Sequence, residues 1–430
     1  MSIKMLPPSA GGINEEICIM KSSDLPVAVM IPGPGKHPGS IESFLVGHLA
    51  SRLDRCQGQL TLQFPSGFRK RFGTGSPEVD VRLHSLRPLL RLFLGGANGW
   101  SDSYLHGEWH SSDLTALVRW ALLNQQYLST VASARWCNNL MYNIYHWCHP
   151  NSRRGSRRNI AAHYDLGNSF YAHWLDPGMT YSSALFDSDG TSLEDAQALK
   201  YSRIMELLAP QSGDHILEIG CGWGEFARQL LNSHDVRVHG VTLSKEQLQW
   251  ASDKLRTAGL AQRGEISLTD YRDIRQQYDG VVSIEMFEAV GQAHWDTFFT
   301  QLKGMLKPGG RAVLQIITID DDRFAGYSRQ ADFIQRHVFP GGMLPSVAIL
   351  REKCSRHGFR LAHQQMFGKD YARTLACWRD AFENTWPEIT KLGFDERFYR
   401  LWRYYLSYCE GGFEEGAIDV GLFVLEHNGA

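Results

Sequence analysis

At 430 residues, with 43% hydrophobic and 21% charged positions, the chain is long enough for a large core and for two or three domains. A formal net charge of -2 argues against wholesale nucleic-acid binding, so any basic surface must be local. The 8 cysteines form no C-x-x-C pair and no metal-ligand cluster, the pattern of reduced thiols in a cytoplasmic protein that holds no metal.

Met1 to Met20 is mixed and carries Glu15 and Glu16, so no secretory signal is expected. Apolar runs stop short of transmembrane length, and membrane contact is therefore expected to be peripheral. Residues 1–40, rich in Pro and Gly, read as a flexible leader. From Ile41 a small α+β module of its own is expected, reaching to residue 150. Ser43 to Leu53 has helical spacing, Gln59 to Phe64 and Val79 to Leu83 alternate as strands, and Asp113 to Leu123 reads as a helix. Its apolar residues serve as core, while Arg69, Lys70, Arg71, Arg87 and Arg91 beside Leu and Phe suit a lipid-facing surface. Residues 151–159, with four arginines and no apolar anchor, read as a basic linker between domains.

Beyond the linker, residues 160–430 form the second domain. His163 to Pro177 contains a short helix, Met179 to Phe186 a loop, and Ser192 N-caps a helix to Leu208 with Asp195 in reach for a capping box. Strands follow at His215 to Ile219, Val236 to Val241, Ile266 to Leu268, Tyr278 to Ile284 and Arg311 to Ile319, the last after a turn at Leu306 to Gly310. Alternation with helices predicts an α/β doubly wound, mostly parallel sheet with its ligand crevice at the strands' carboxyl ends. Leu361 to Phe367 and Val420 to Leu425 would complete it as an antiparallel edge.

The stretch Ile216 to Gly224 is an apolar strand that ends in an acid, a glycine-rich turn, and the start of a helix. Such a corner binds nucleotides, and its glycines alone fit a dinucleotide turn as well. Composition breaks the tie: Glu218 is badly placed beside a pyrophosphate and well placed for the cationic, zwitterionic ligand S-adenosylmethionine (SAM). At the end of the second strand Thr242 stands where dinucleotide folds put an acid. Gln247 one helical turn later could hold ribose hydroxyls, and Asp270, Tyr271 and Arg272 sit where an adenine would reach the third strand.

Taken together, His163-Tyr-Asp-Leu-Gly-Asn168, Tyr181-Ser182, Leu217 to Gly224, Thr242 to Gln247, Phe287-Glu-Ala-Val-Gly291, Phe339 to Ser346, Phe367 to Tyr371 and Tyr404 to Cys409 resemble the cyclopropane fatty acid synthase family, which includes the mycolic acid methyltransferases. The resemblance runs from about residue 160 to the C-terminus, and residues 41–150 resemble more loosely the family's N-terminal lipid-binding domain. It implies a class I SAM-dependent methyltransferase that alkylates the cis double bond of an unsaturated acyl chain in phospholipid, at the membrane surface. Cofactor contacts carry over to Tyr181, Ser182, Leu217, Glu218, Ile219, Gly220, Cys221, Gly222, Trp223, Gly224, Glu225, Thr242, Leu243, Ser244, Gln247, Tyr271 and Arg272. A homodimer stays open as the assembly.

In the family a bicarbonate ion serves as base, held by Cys, Glu, His and Tyr, and the matching positions here are Ser183, Glu288, Gln315 and Tyr371. Two of the four differ, which puts bicarbonate in doubt. Either neutral hydrogen bonds hold the ion, or a carboxylate, Glu288 or the nearby Glu285, takes the proton. Cys409 matches a cysteine often given as active, although direct methyl transfer needs no such nucleophile. Phe170, Tyr171, Trp174, Phe333, Phe339, Tyr371 and Trp402 are aromatic faces for a carbocation or are core. The product is a cyclopropane, or a methylene or methyl branch if the last step has changed. Two rivals stand beside this reading: a methyltransferase of small amines or nucleic acid, disfavoured by the apolar run Phe324 to Leu350, and a non-catalytic lipid- or SAM-binding protein.

Overall fold

In the computed structural model, which describes residues 37–128 and 166–427, seven strands form one sheet in the order β6-β5-β4-β7-β8-β10-β9. They are β4 (His215–Ile219), β5 (Arg237–Thr242), β6 (Gly264–Leu268), β7 (Tyr278–Ile284), β8 (Leu306–Ile319), β9 (Phe359–Met366) and β10 (Ile418–His427). The central strand β4 is buried along nearly its whole length, as a strand inside a parallel sheet should be, and the acid Glu218 is buried with it. It pairs parallel with β5 on one side and β7 on the other, so the strand order reverses there and opens a crevice at the carboxyl ends. Two apolar clusters fill the space between the sheet and its helices.

The expected antiparallel edge is present: β10 runs antiparallel to both β8 and β9. One local reading is corrected. Leu306 to Gly310 is not a turn before the strand but its first stretch, where pairing slips from Tyr278–Leu306 to Gly280–Arg311. Gly309, at φ 81°, lets the chain make this bulge without breaking the strand.

In the N-terminal part, β1 (Gln57–Gln63) pairs with both halves of β2 (Arg69–Leu83), Leu60 facing Phe72 and Val79, and β3 (Trp109–His110) extends the sheet. Arg69, Lys70 and Arg71, read only as a basic surface, are therefore strand residues as well. Helix Arg87–Leu105 kinks at Gly96, whose backbone leaves the helical region. The module does not stand by itself: helix Leu114–Leu123 packs on helix Glu396–Glu414, and a single apolar cluster joins Trp109 and Trp120 to Trp402 and Tyr404. A buried polar contact seals the joint, Thr115 Oγ1 donating to Glu410 Oε2 at 2.9 Å beside the Arg379–Glu410 ion pair. The leader to residue 36, residues 129–165 with the basic linker and His163, and residues 428–430 lie outside the described residues.

Candidate active site

Between β4 and helix Glu225–Ser233 the chain turns through Gly220, Gly222 and Gly224, all at positive φ. A Cβ on Gly222 would meet no atom within 4 Å, so the turn faces open space that a ligand can use. Trp223 is anchored from behind, its Nε1 donating to Asn168 Oδ1 at 2.8 Å, which ties the Gly167-Asn168 segment to this turn. Glu218 is buried at the turn's start, and its Oε2 has no hydrogen-bond partner among the described residues. Burial pushes its carboxyl up to about 8 against the pull of Lys200.

The side walls come from the next strand ends. Thr242 Oγ1 donates to Gln247 Oε1 at 2.7 Å, and Ser244 caps helix Lys245–Thr257 by accepting from Gln247 N. Arg272 is held by Asp270 at 2.6 Å, leaving the Tyr271 ring beside it. Opposite, Lys200 donates from Nζ to Ser182 Oγ at 2.7 Å. This lysine is fully buried, and burial lowers its pKa to about 7 against the pull of Glu285, Asp176 and Glu218. The sequence reading missed it, although a lysine at four-residue spacing between Ala196 and Ile204 on an apolar helix face was a visible anomaly.

At the deep end, Glu285 leaves β7 with φ 50°, a left-handed conformation rare for glutamate. Its carboxylate accepts from Ser183 N at 2.8 Å, Gln315 Nε2 at 2.7 Å and Tyr371 Oη at 2.6 Å. Glu288 Oε1 accepts from Ile317 N, while its Oε2 has no hydrogen-bond partner among the described residues. Burial, and repulsion from Glu285, push Glu288 up to about 8. The Cys409 thiol is raised by burial too, so it sits in the wall as a thiol and not as a thiolate nucleophile.

One cavity of about 1110 Å³ connects these groups. It touches Tyr181, Ser182, Glu218, Ile219, Gly220, Cys221, Gly222, Trp223, Glu225, Thr242, Leu243, Gln247, Tyr271, Arg272, Glu288, Tyr371 and Cys409, and also Glu285. Leu217, Gly224, Ser244, Ser183 and Gln315 stand behind its wall and shape it from there. Of the proposed aromatic faces, Phe333, Phe339 and Tyr371 reach the cavity; Phe170, Tyr171, Trp174 and Trp402 are packed in the core instead. Tyr404, Tyr405 and Tyr408, which sequence reasoning had only as part of a motif, line the cavity as well, the Tyr405 hydroxyl lying 2.8 Å from that of Tyr181.

Residues 151–423 match the family model described as mycolic acid cyclopropane synthetase. The chain belongs to the cyclopropane fatty acid synthase family. It is 37% identical to the tuberculostearic acid methyltransferase of Mycobacterium tuberculosis, across 83% of this chain and 86% of that one. Identity to the cyclopropane-fatty-acyl-phospholipid synthase of Escherichia coli K12 is 34%, across 81% and 87%. A solved structure of mycolic acid cyclopropane synthase CmaA1 complexed with SAH and CTAB superposes with a TM-score of 0.59 at 31% identity, covering 63% of this chain and 98% of that one.

As a member of this cyclopropane synthase family the protein is a SAM-dependent methyltransferase with the class I fold, and its substrates belong to the lipid acyl chains. The residues present fit SAM: an unpartnered buried carboxylate oxygen on Glu218 meets a cation's need, and the bare Gly222 leaves room for it. The fit for bicarbonate is poor, because the Ser183 backbone, Gln315 and Tyr371 are all donating to Glu285.

Proposed function

We propose that the protein methylates a cis double bond within an acyl chain of membrane phospholipid and closes a cyclopropane there. One observation carries this reading: the cavity that begins at the glycine turn continues, without a wall, to Phe333, Phe339 and Tyr404. SAM, when bound, supplies an electrophilic methyl group. What the chain adds is an enclosed apolar space that aligns the alkene and keeps out water, with aromatic faces for the cation that follows.

Phospholipid as the carrier is supported by helix Arg87–Leu105. Leu90, Phe93 and Leu94 are exposed on it, between 50% and 58%, close to Arg87 and Arg91, while Ala97 and Asn98 further along touch the cavity. An apolar patch with basic neighbours favours an anionic bilayer surface, and the cavity then opens near it. Among the described residues no helix is long and apolar enough to cross a membrane, which is consistent with peripheral contact.

A second reading keeps the methyl transfer and ends in a methylene branch by proton loss, or in a methyl branch where a partner delivers hydride. Ser183 and Gln315, standing where the family has a thiol and an imidazole, favour it, as does the 37% identical relative named for tuberculostearic acid. Incubation with SAM and vesicles of dioleoyl phospholipid, followed by mass spectrometry and proton NMR of the released fatty acids, separates the two. Ring protons support the cyclopropane, exocyclic alkene signals support the branch, and SAM binding without release of S-adenosylhomocysteine overturns both.

A further inference from the structure

We propose that Glu285 is the built-in general base of this reaction, occupying the place of a bound bicarbonate ion. The inference rests on the methyl-transfer reading above and deepens it by naming the proton acceptor. Two carboxyls face the deep end of the cavity, and their surroundings differ. Glu285 receives three hydrogen bonds, two on Oε1 from Ser183 N and Gln315 Nε2 and one on Oε2 from Tyr371. Glu288 Oε1 accepts from the Ile317 N–H, and its Oε2 has no hydrogen-bond partner among the described residues. Burial raises both carboxyls, but donors stabilise the ionised form and a dry, unpartnered oxygen the neutral one, so of the two Glu285 is the one fitted to carry the negative charge and Glu288 the one fitted to stay neutral. Lys200, buried within electrostatic reach, supports the charge on Glu285.

The lone pairs set where the proton goes. A carboxylate has about four acceptor sites, and three are filled here. The fourth lies on Oε2, and Glu285 is among the residues that line the cavity.

Backbone geometry argues for a function. Glutamate at φ 50° costs about 1–2 kcal/mol relative to an ordinary conformation, and such strain persists where the surroundings over-determine it. The strained turn directs the carboxylate onto three donors that would otherwise hold a small anion. Ser183 Oγ does not compete, since it donates to its neighbour Ala184 O at 2.9 Å.

The step balances without an outside reagent. After methyl transfer the neighbouring acyl carbon is a cation. The Glu285 carboxylate takes a proton from the new methyl group, and the C–H electron pair becomes the third bond of the ring. Glu285 is left as the carboxylic acid, neutral toward Lys200, Glu288 and Tyr371, and releases its proton to water before the next turnover.

The test compares the wild type with Glu285→Gln and Glu285→Gly in buffer freed of carbon dioxide, with unsaturated phospholipid vesicles, SAM calorimetry and 13C NMR of labelled bicarbonate. Wild-type turnover is expected to stay within about twofold when bicarbonate is removed. Glu285→Gln should lose about a hundredfold or more, the usual scale of a lost general base, with SAM affinity kept within about twofold. Glu285→Gly, whose backbone is at ease at positive φ, should be as slow and regain about tenfold or more when bicarbonate or formate is added. In the NMR arm, which needs no turnover, labelled bicarbonate should bind the glycine variant and not the wild type. Bicarbonate binding to the wild type, wild-type dependence on bicarbonate, or a Glu285→Gln variant within tenfold of normal each overturns the proposal. A wild type that methylates no unsaturated lipid refutes the functional reading instead, and the NMR arm still decides whether Glu285 has displaced the ion.

Discussion

The Lys200 ammonium lies 2.7 Å from Ser182 Oγ, in a fully buried position surrounded by the fields of Glu285, Asp176 and Glu218. One cation thus faces three acids on three separate elements: the loop before helix Leu193–Leu208, the end of β4 and the end of β7. Breaking such a group from one side leaves charge without compensation, which costs more than the group itself contributes. Lys200→Met should lower stability by about 3–5 kcal/mol in urea unfolding at neutral pH. Its SAM affinity should fall as well, because Ser182 loses the donor that orients its hydroxyl. A variant as stable as the wild type would mean that the acids are neutral without the lysine.

Glu218 gives a sharper prediction for cofactor binding. Its carboxyl, pushed up to about 8, is mostly protonated at pH 7, and a bound cation favours the ionised form. SAM binding should therefore release a proton. Calorimetry in buffers of different ionisation enthalpy should detect this in the wild type and not in Glu218→Gln, which should also bind SAM about tenfold more weakly, or about 1.4 kcal/mol. A wild-type binding enthalpy that is the same in every buffer would rule it out.

Much of this site could be read from residue order. The mostly apolar stretch Ile216 to Ile219, the three glycines and the helix that follows Thr242 all act through local rules, and β4, the turn and helix Lys245–Thr257 form where those rules put them. The bulge in β8 escaped because Lys-Pro-Gly-Gly has the composition of a turn, and only pairing with β7 decides otherwise. The two-sided pairing of β1 escaped for the same kind of reason, being a long-range contact. Glu285 was weighed as a proton acceptor only as the neighbour of Glu288. Its left-handed backbone and its three donors come from Ser183, Gln315 and Tyr371, separated from it by 102, 30 and 86 positions, and no local pattern encodes that meeting.

The joint between the two parts of the chain should be testable through Arg379. This guanidinium pairs with Glu410, which also accepts from Thr115 on the N-terminal helix Leu114–Leu123. Arg379→Met strips a largely buried acid of its cation and should cost about 1.5–3 kcal/mol. Hydrogen exchange should then accelerate in helix Leu114–Leu123 before it does in β4, because the loss is local to the joint. Uniform acceleration across both would contradict that picture.

Glu288 predicts how stability depends on pH. Its carboxyl is raised from 4.5 to about 8 by burial and by the Glu285 charge, so the folded protein binds this proton more tightly than the unfolded chain does. The resulting stabilisation is complete below the unfolded value near 4.5 and is lost as pH rises through about 8. Glu218 is raised in the same direction and adds to the slope. Melting temperature should accordingly decline between about pH 5 and 8 in the wild type, with Lys200, lowered to about 7, opposing the decline above that value, and should decline less steeply in Glu288→Gln, which cannot ionise. The glutamine variant should gain most at the alkaline end, where the wild type must hold a dry negative charge next to Glu285. Parallel melting curves for the two proteins across that range would show that Glu288 is ionised throughout, and the division of charge between the two carboxyls would fall with it.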